Sequence, residues 1–234
     1  MTDKVITQIG SLPHMNVSEA VSYSLLHEIP FFPELPILGD SMLNYAKNPG
    51  KMSCLEEFKK HRFSRVKIQC IGPAILITTG CGENEALEVI CNHITTIMDG
   101  LYADEVILFL DEPALGQAGF DYESIWDAIF SNFHVVRGVH CCGPMDWDIL
   151  LRSSVVDMIS FDASQFNIAL YPYYRNGKKI AWGVERKEHV ADFRAGDLIT
   201  PPCGMSPMRY NVKDCTDQLI NLKQIKDHAI KMMV

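Results

Sequence analysis

The feature that most constrains the fold is a repeated pattern. A short apolar run is followed by a Gly, Pro or polar break, and then by a stretch with helical spacing. The runs are VITQIGSLP (5–13), IPFFPELP (29–36), RVKIQCIGP (65–73), EVILFLDEP (105–113), VVRGVHCCG (135–143), VDMISFDA (156–163), KIAWGVE (179–185) and DLITPPCGM (197–205). Runs rich in Val, Ile and Phe with little alternation suit parallel strands buried on both faces. The stretches between them read as helices: NVSEAVSYSLLHE with Ser18 near its start, SCLEEFKKH with the Ser53/Glu56 spacing of a capping box, and ENEALEVICNHITTIMDGLYA with acids in its first turn. DYESIWDAIFSNF, PMDWDILLRS, SQFNIALYPYY and KEHVADF follow, and the last helix carries Val212, Cys215, Leu219, Leu222, Ile225 and Ala229 on one stripe. Eight strand–helix units in 234 residues match the count and size of an α/β protein with one compact (β/α)8 TIM barrel over residues 1–234. An open doubly wound sheet is the competitor, but no GxGxxG turn supports it.

Composition excludes several function classes. At 47% hydrophobic the chain can bury a sizeable core, and its net charge of −8 argues against nucleic acid or an anionic membrane as partner. No run of 18 apolar residues occurs, and the first twenty residues lack a signal pattern, so a cytoplasmic location is expected. In a reducing compartment the eight cysteines should be ligands or buried hydrophobes, not disulfides. Cys54, Cys70, Cys81, Cys91 and Cys215 read as core or helix-face residues.

Barrel enzymes build their sites at the carboxyl ends of strands. Here those ends carry Gly10-Ser11, Glu34, Asp111-Glu112, His140 to Cys142, Asp162, Glu185 and Cys203-Gly204. In an extended segment residues two apart share a face, so His140 and Cys142 point together and Cys141 points away. With Cys203 from the last strand and Asp162 from the sixth, they form a Cys2His set plus one weaker oxygen ligand, the pattern of a catalytic zinc. Adjacent Cys141 and Cys142 lack the CxxC form of a redox pair. Glu34 and Asp111 are either helix caps or, on the reading preferred here, a pair that holds a cationic amine on the substrate. The segment ILGDSMLNYAKNPGKM (37–52) is the longest irregular stretch and a candidate active-site loop.

Several of these stretches resemble the catalytic barrel of cobalamin-independent methionine synthase, within the wider group that includes uroporphyrinogen decarboxylase and corrinoid-dependent thiol methyltransferases. IGSLP (9–13), FPELP, FLDEPAL (109–115), HCC (140–142), ISFDAS and PPCG (201–204) are similar to that family's motifs, in order. The resemblance implies a zinc site of His140, Cys142, Cys203 and Asp162, the last where the synthase has Glu. It implies that Glu34 and Asp111 take the amine of a homocysteine-like acceptor and that Ile9, Gly10 and Ser11 take its carboxylate. The expected activity is a thiol S-methyltransferase of the methionine-biosynthesis type, with zinc turning the acceptor thiol into a nucleophile. The family's general-acid His has Glu188 at its aligned position here, with His189 one step on as the weak catalytic candidate. The extra amino-terminal barrel is absent and the inter-strand segments are short, which points away from a folate donor and towards a corrinoid protein as methyl donor. Two alternatives stand beside this reading: a non-catalytic zinc-binding paralogue or carrier, and a decarboxylase of the tetrapyrrole kind, which would need arginines that the strand ends do not supply.

Overall fold

The structure is a computed structural model, and it describes residues 4–41, 43–44, 48–117 and 119–233. Six of the apolar runs form one parallel sheet in sequence order: β2 (Val66–Ile71), β4 (Val106–Asp111), β5 (Val136–Cys141), β6 (Met158–Asp162), β7 (Lys179–Gly183) and β8 (Leu198–Thr200). Two-residue strands β1 (Arg62–Phe63) and β3 (Tyr102–Ala103) pair separately in a small parallel sheet. The helices are α1 (Val17–Leu25), α2 (Leu55–Phe58), α3 (Pro73–Thr78), α4 (Glu83–Met98), α5 (Tyr122–Phe130), α6 (Asp148–Arg152) and α7 (Val212–Met232).

The expected closed (β/α)8 TIM barrel is therefore corrected to a six-stranded parallel half-barrel with a small two-stranded sheet. The runs at 5–13 and 29–36 do not become sheet strands. They make only isolated bridges, Ile6 to Ile199, Ser11 to Glu34 and Phe31 to Lys67. The reason is local. Pro30, Pro33 and Pro36 remove backbone donors at every third position of the second run, and a proline cannot donate to a ladder. Each bridge keeps one pair of backbone hydrogen bonds, such as Phe32 N–H to Lys67 O at 2.9 Å with Lys67 N–H to Pro30 O at 2.8 Å.

Helix starts also differ from the sequence reading. Asn16, not Ser18, caps α1 by accepting from the Glu19 N–H at 3.1 Å. Ser53 caps nothing; its hydroxyl donates to Asp40 Oδ1 at 2.7 Å. SQFNIALYPYY and KEHVADF shrink to single 3₁₀ turns, Ile168–Leu170 and Lys187–His189. The long α7 begins with the Asn211–Asp214 capping box and buries Cys215, Leu219, Leu222, Ile225 and Ala229, while Val212 stays exposed.

The sheet has two dressed faces. Its outer face packs Leu108, Leu110, Val139, Ile159, Phe161 and Trp182 into the main core beneath the helices. Its inner face holds a smaller cluster, Ile29, Ile107, Phe109, Met158, Ala181 and Leu198. Gly138 is required there, because a Cβ would lie 2.7 Å from the Phe109 ring. Above this apolar layer one register row crosses the sheet, pairing Asp111 with His140, His140 with Ser160 and Ser160 with Ala181. That row places polar side chains side by side on the inner face.

Candidate metal centre

His140, Cys142 and Cys203 could hold a metal ion: one ligating atom from each lies within 4.8 Å of the others. Strand alternation delivers the first two. His140 points inward from β5, and Cys142 follows the strand end on the same side. Cys141 turns to the outer core, where its thiol reaches Gly143 O at 3.7 Å. Cys203 arrives by a turn after β8, stiffened by Pro201 and Pro202. Gly183 lets that turn fold over β7, since a Cβ there would sit 2.3 Å from Phe161 O and 2.9 Å from Pro202 Cα. Gly204 then packs on Ser11, whose Cβ would be 2.9 Å from an added methyl group.

The imidazole is prepared for a ligand. His140 is buried, and its Nδ1 meets the Ser160 hydroxyl at 2.9 Å. The other nitrogen, Nε2, is buried and has no hydrogen-bond partner. With the proton on Nδ1 and Ser160 accepting it, the Nε2 lone pair is free, which is the orientation a metal-ligating histidine takes. The thiols are coupled. The Cys142 thiol, in hydrogen-bond contact with Cys203, holds the Cys203 thiol below its usual value, and the same contact, with burial, pushes Cys142 up. A soft donor pair with one free imidazole nitrogen fits a zinc-type ion by donor chemistry.

The remaining candidates fall in two places. Asp162 lines the same cavity as the thiols but lies outside the trio. Its carboxylate accepts from Ser164 N–H at 2.9 Å, Ser164 Oγ at 2.6 Å and the Gln165 amide. Glu34 and Asp111 lie on the other side of the trio, both buried. Glu34 accepts from Gln69 Nε2 at 3.2 Å and Ser11 Oγ at 3.4 Å. Burial, reinforced by the charge of Asp111, pushes its carboxyl up to about 7. Burial also raises Asp111, against the pull of His140 and Lys67, and neither of its oxygens has a hydrogen-bond partner. Lys67, buried and reaching Gln69 Oε1 at 2.7 Å, is brought down to about 8 by burial. Ile9 is buried, and Gly10 is pressed against Gln69, whose Nε2 would be 1.6 Å from a Cβ. None of Ile9, Gly10, Ser11, Glu34 or Asp111 lines the cavity that reaches the thiols.

His189 and Glu188 sit in the 3₁₀ turn after β7 and do not line that cavity either. The described residues of the 37–52 segment are absent from its lining, and residues 42 and 45–47 lie outside the described residues. Within that segment Asp40 holds the turn, accepting from Leu35 N–H at 2.7 Å and Ser53 N–H at 3.2 Å. Glu112, next to Asp111, is structural: it accepts from Ala74 N–H at 3.0 Å and Trp126 Nε1 at 2.9 Å.

The cavity measures about 320 Å³ and is walled by Cys142 and Cys203 on one side and by Gln165, Arg209, Tyr210 and Gln218 on others. These last four were missed by reading strand ends alone. Arg209 stands six residues past Cys203, where the loop after the last strand could have been searched. Among the described residues no helix is long and apolar enough to cross a membrane. No family model matches the chain, and no curated protein matches it in sequence.

Proposed function

We propose that the protein is a zinc-dependent thiol S-methyltransferase, similar in chemistry to the methionine synthase family whose motifs its strand ends resemble. The observation that carries this reading is the trio of His140, Cys142 and Cys203, whose two cysteines line a cavity, with His140 Nε2 buried and unpartnered. Bound there, zinc supplies the Lewis acid that keeps an acceptor thiol deprotonated at neutral pH. The chain's own residues do the rest. Ser160 fixes the His140 ring, the Pro201-Pro202 turn fixes Cys203, and Ser164 and Gln165 hold the Asp162 carboxylate beside the cavity. A metal held by His140, Cys142 and Cys203 alone would keep a position for a further ligand, as catalytic zinc sites do. A methyl donor carried by a corrinoid protein suits so small a chain, since the partner brings its own surface.

A second reading, a non-catalytic zinc-binding carrier, is favoured by one observation: His189 lies away from the cavity and offers it no proton donor. A tetrapyrrole decarboxylase is the poorer fit, because a cavity of about 320 Å³ with Arg209 as its one arginine suits a far smaller ligand. The test is metal analysis of the purified protein together with methyl transfer from methylcobalamin to homocysteine and other thiols. Stoichiometric zinc with S-methylated product supports the proposal; zinc without product from any thiol supports the carrier; no zinc overturns both.

A further inference from the structure

A chain of side chains crosses the inner face of the sheet and begins at a buried lysine. Lys67 sits over the Phe109 ring, 5.4 Å from its centre, beside the apolar layer. Burying an ammonium costs stability, and a methionine would pack there without that cost, so packing does not explain the lysine. Its Nζ donates to Gln69 Oε1 at 2.7 Å. That bond fixes which way round the Gln69 amide lies, because Nε2 then donates to Phe32 O at 2.9 Å and to Glu34 Oε1 at 3.2 Å. A reversed amide would turn its oxygen on two acceptors. Gly10 leaves room for this arrangement, since a Cβ there would lie 1.6 Å from Gln69 Nε2. Beyond Glu34, the Ser11 hydroxyl donates to Oε2 at 3.4 Å, and the same two residues form the bridge between the first and second runs.

Ser11 is where this chain meets the metal centre. Pro201 and Pro202 offer no N–H, so the ladder of β8 cannot run on through them to Cys203. The turn is tied down just past the cysteine, where Met205 N–H donates to Ser11 O at 2.9 Å and Gly204 packs against the Ser11 side chain. We infer that Lys67 and Gln69 are positioning residues of the metal centre: they fix Glu34 and Ser11, and through Ser11 the turn that presents Cys203. This rests on the trio binding a metal, as the proposed function does. It gives Glu34 a task within the protein that asks nothing of a substrate amine.

The experiment measures zinc affinity by competition with a chelator for the parent, Lys67→Met, Ser11→Ala and the double variant. Each single change is expected to weaken zinc binding about tenfold, the low end for residues that hold a metal ligand in place. Links of one chain do not add, so the double variant should also lose about tenfold, where independent effects would give about a hundredfold. Cobalt(II) in place of zinc reports the site's geometry through its thiolate charge-transfer and d–d bands, which a loss of stability alone would not move. Those bands should shift in both single variants. Circular dichroism checks folding. Should Lys67→Met misfold, Gln69→Asn takes its place in the cycle, because it keeps the amide but is too short to span Lys67 and Glu34. Parent-like zinc affinity with unshifted cobalt bands, or a double variant whose loss is the product of the single losses, would overturn the positioning chain and leave the metal site standing. Parent protein that takes up neither metal would overturn both.

Discussion

Two polar clusters flank β8, one buried and one reaching the surface at Cys203, and they are built to opposite rules. Before the strand, Asp197 is fully buried and accepts from five donors: both Arg175 terminal nitrogens at 2.7 and 2.8 Å, Ile180 N–H at 2.9 Å, Trp182 Nε1 at 3.0 Å and Arg194 N–H at 3.0 Å. Beyond the strand, around Cys203, polar atoms are left over. His140 Nε2 and both Asp111 oxygens are buried without a partner. Buried polar groups in folded proteins are almost always paired, so the first cluster is complete in itself, while the second keeps donor and acceptor capacity that a bound ion could meet. The comparison teaches that burial alone does not mark a candidate site; unmet capacity beside a convergent set of metal-donor side chains does.

The largest effect should fall on the satisfied cluster. Asp197→Ala removes the main partner of Arg175, which is itself buried, sits at a left-handed φ of 68° and keeps only the Asp192 contacts. Breaking one partner of a buried pair costs about 3–5 kcal/mol, measurable as a shift in urea midpoint. A loss below about 1 kcal/mol, the range of exposed pairs, would show that the clamp contributes little. The converse variant is Cys142→Ser. It should lose most of its metal while the metal-free protein unfolds as the parent does, whereas Cys141→Ser keeps its metal because Cys141 faces the outer core. Equal metal loss from the two would break the strand alternation on which the site rests.

A pH experiment sharpens the contrast at a third buried position. His27, packed against Tyr23 and Phe31 with Nε2 unpartnered, is held by burial down to about 4. Its folded value is lowered, so between about 6.5 and about 4 the unfolded chain binds the extra proton. Stability should therefore fall as pH drops through that window, by on the order of 2–3 kcal/mol. Denaturation at pH 7, 5.5 and 4 checks this, and His27→Gln should flatten the slope relative to the parent. A slope unchanged by the substitution would mean that other groups carry it. The smallest effect expected is from Ser160→Ala. Losing the Nδ1 partner should weaken metal binding about 10- to 100-fold without abolishing it, as read by competition with a chelator.

The parts legible in the sequence were those governed by simple periodicities. Parallel strands buried on both faces read as unbroken apolar runs, so β2 and β4 to β8 stood out, and alternation alone separated His140 and Cys142 from Cys141. The closed barrel failed where prolines interrupt an apolar run, because hydrophobicity does not report a missing N–H; Pro30, Pro33 and Pro36 turn a would-be strand into bridges. Asp162 was read as the weaker oxygen ligand of the metal; its bonds from Ser164 and Gln165, which lie just after the strand, are local turn contacts invisible to strand-end reading. Lys67 lies within an apolar run, and only tertiary packing shows that its charge is buried, over the Phe109 ring and paired in register with Ile107. Arg209 and Gln218 come from a turn and the polar side of α7, whose approach to the thiols is set by tertiary packing.

The central claim is that the unsatisfied cluster is an open metal site that takes a thiol. Zinc X-ray absorption on the reconstituted protein, with and without a saturating thiol, tests it most directly. The account predicts a first shell of one nitrogen and two sulfurs completed by a light oxygen or nitrogen donor, which changes on adding thiol to one nitrogen and three sulfurs. Sulfur neighbours near 2.3 Å are the signature. A first shell that stays the same with homocysteine, 3-mercaptopropionate and 2-mercaptoethanesulfonate would contradict the claim.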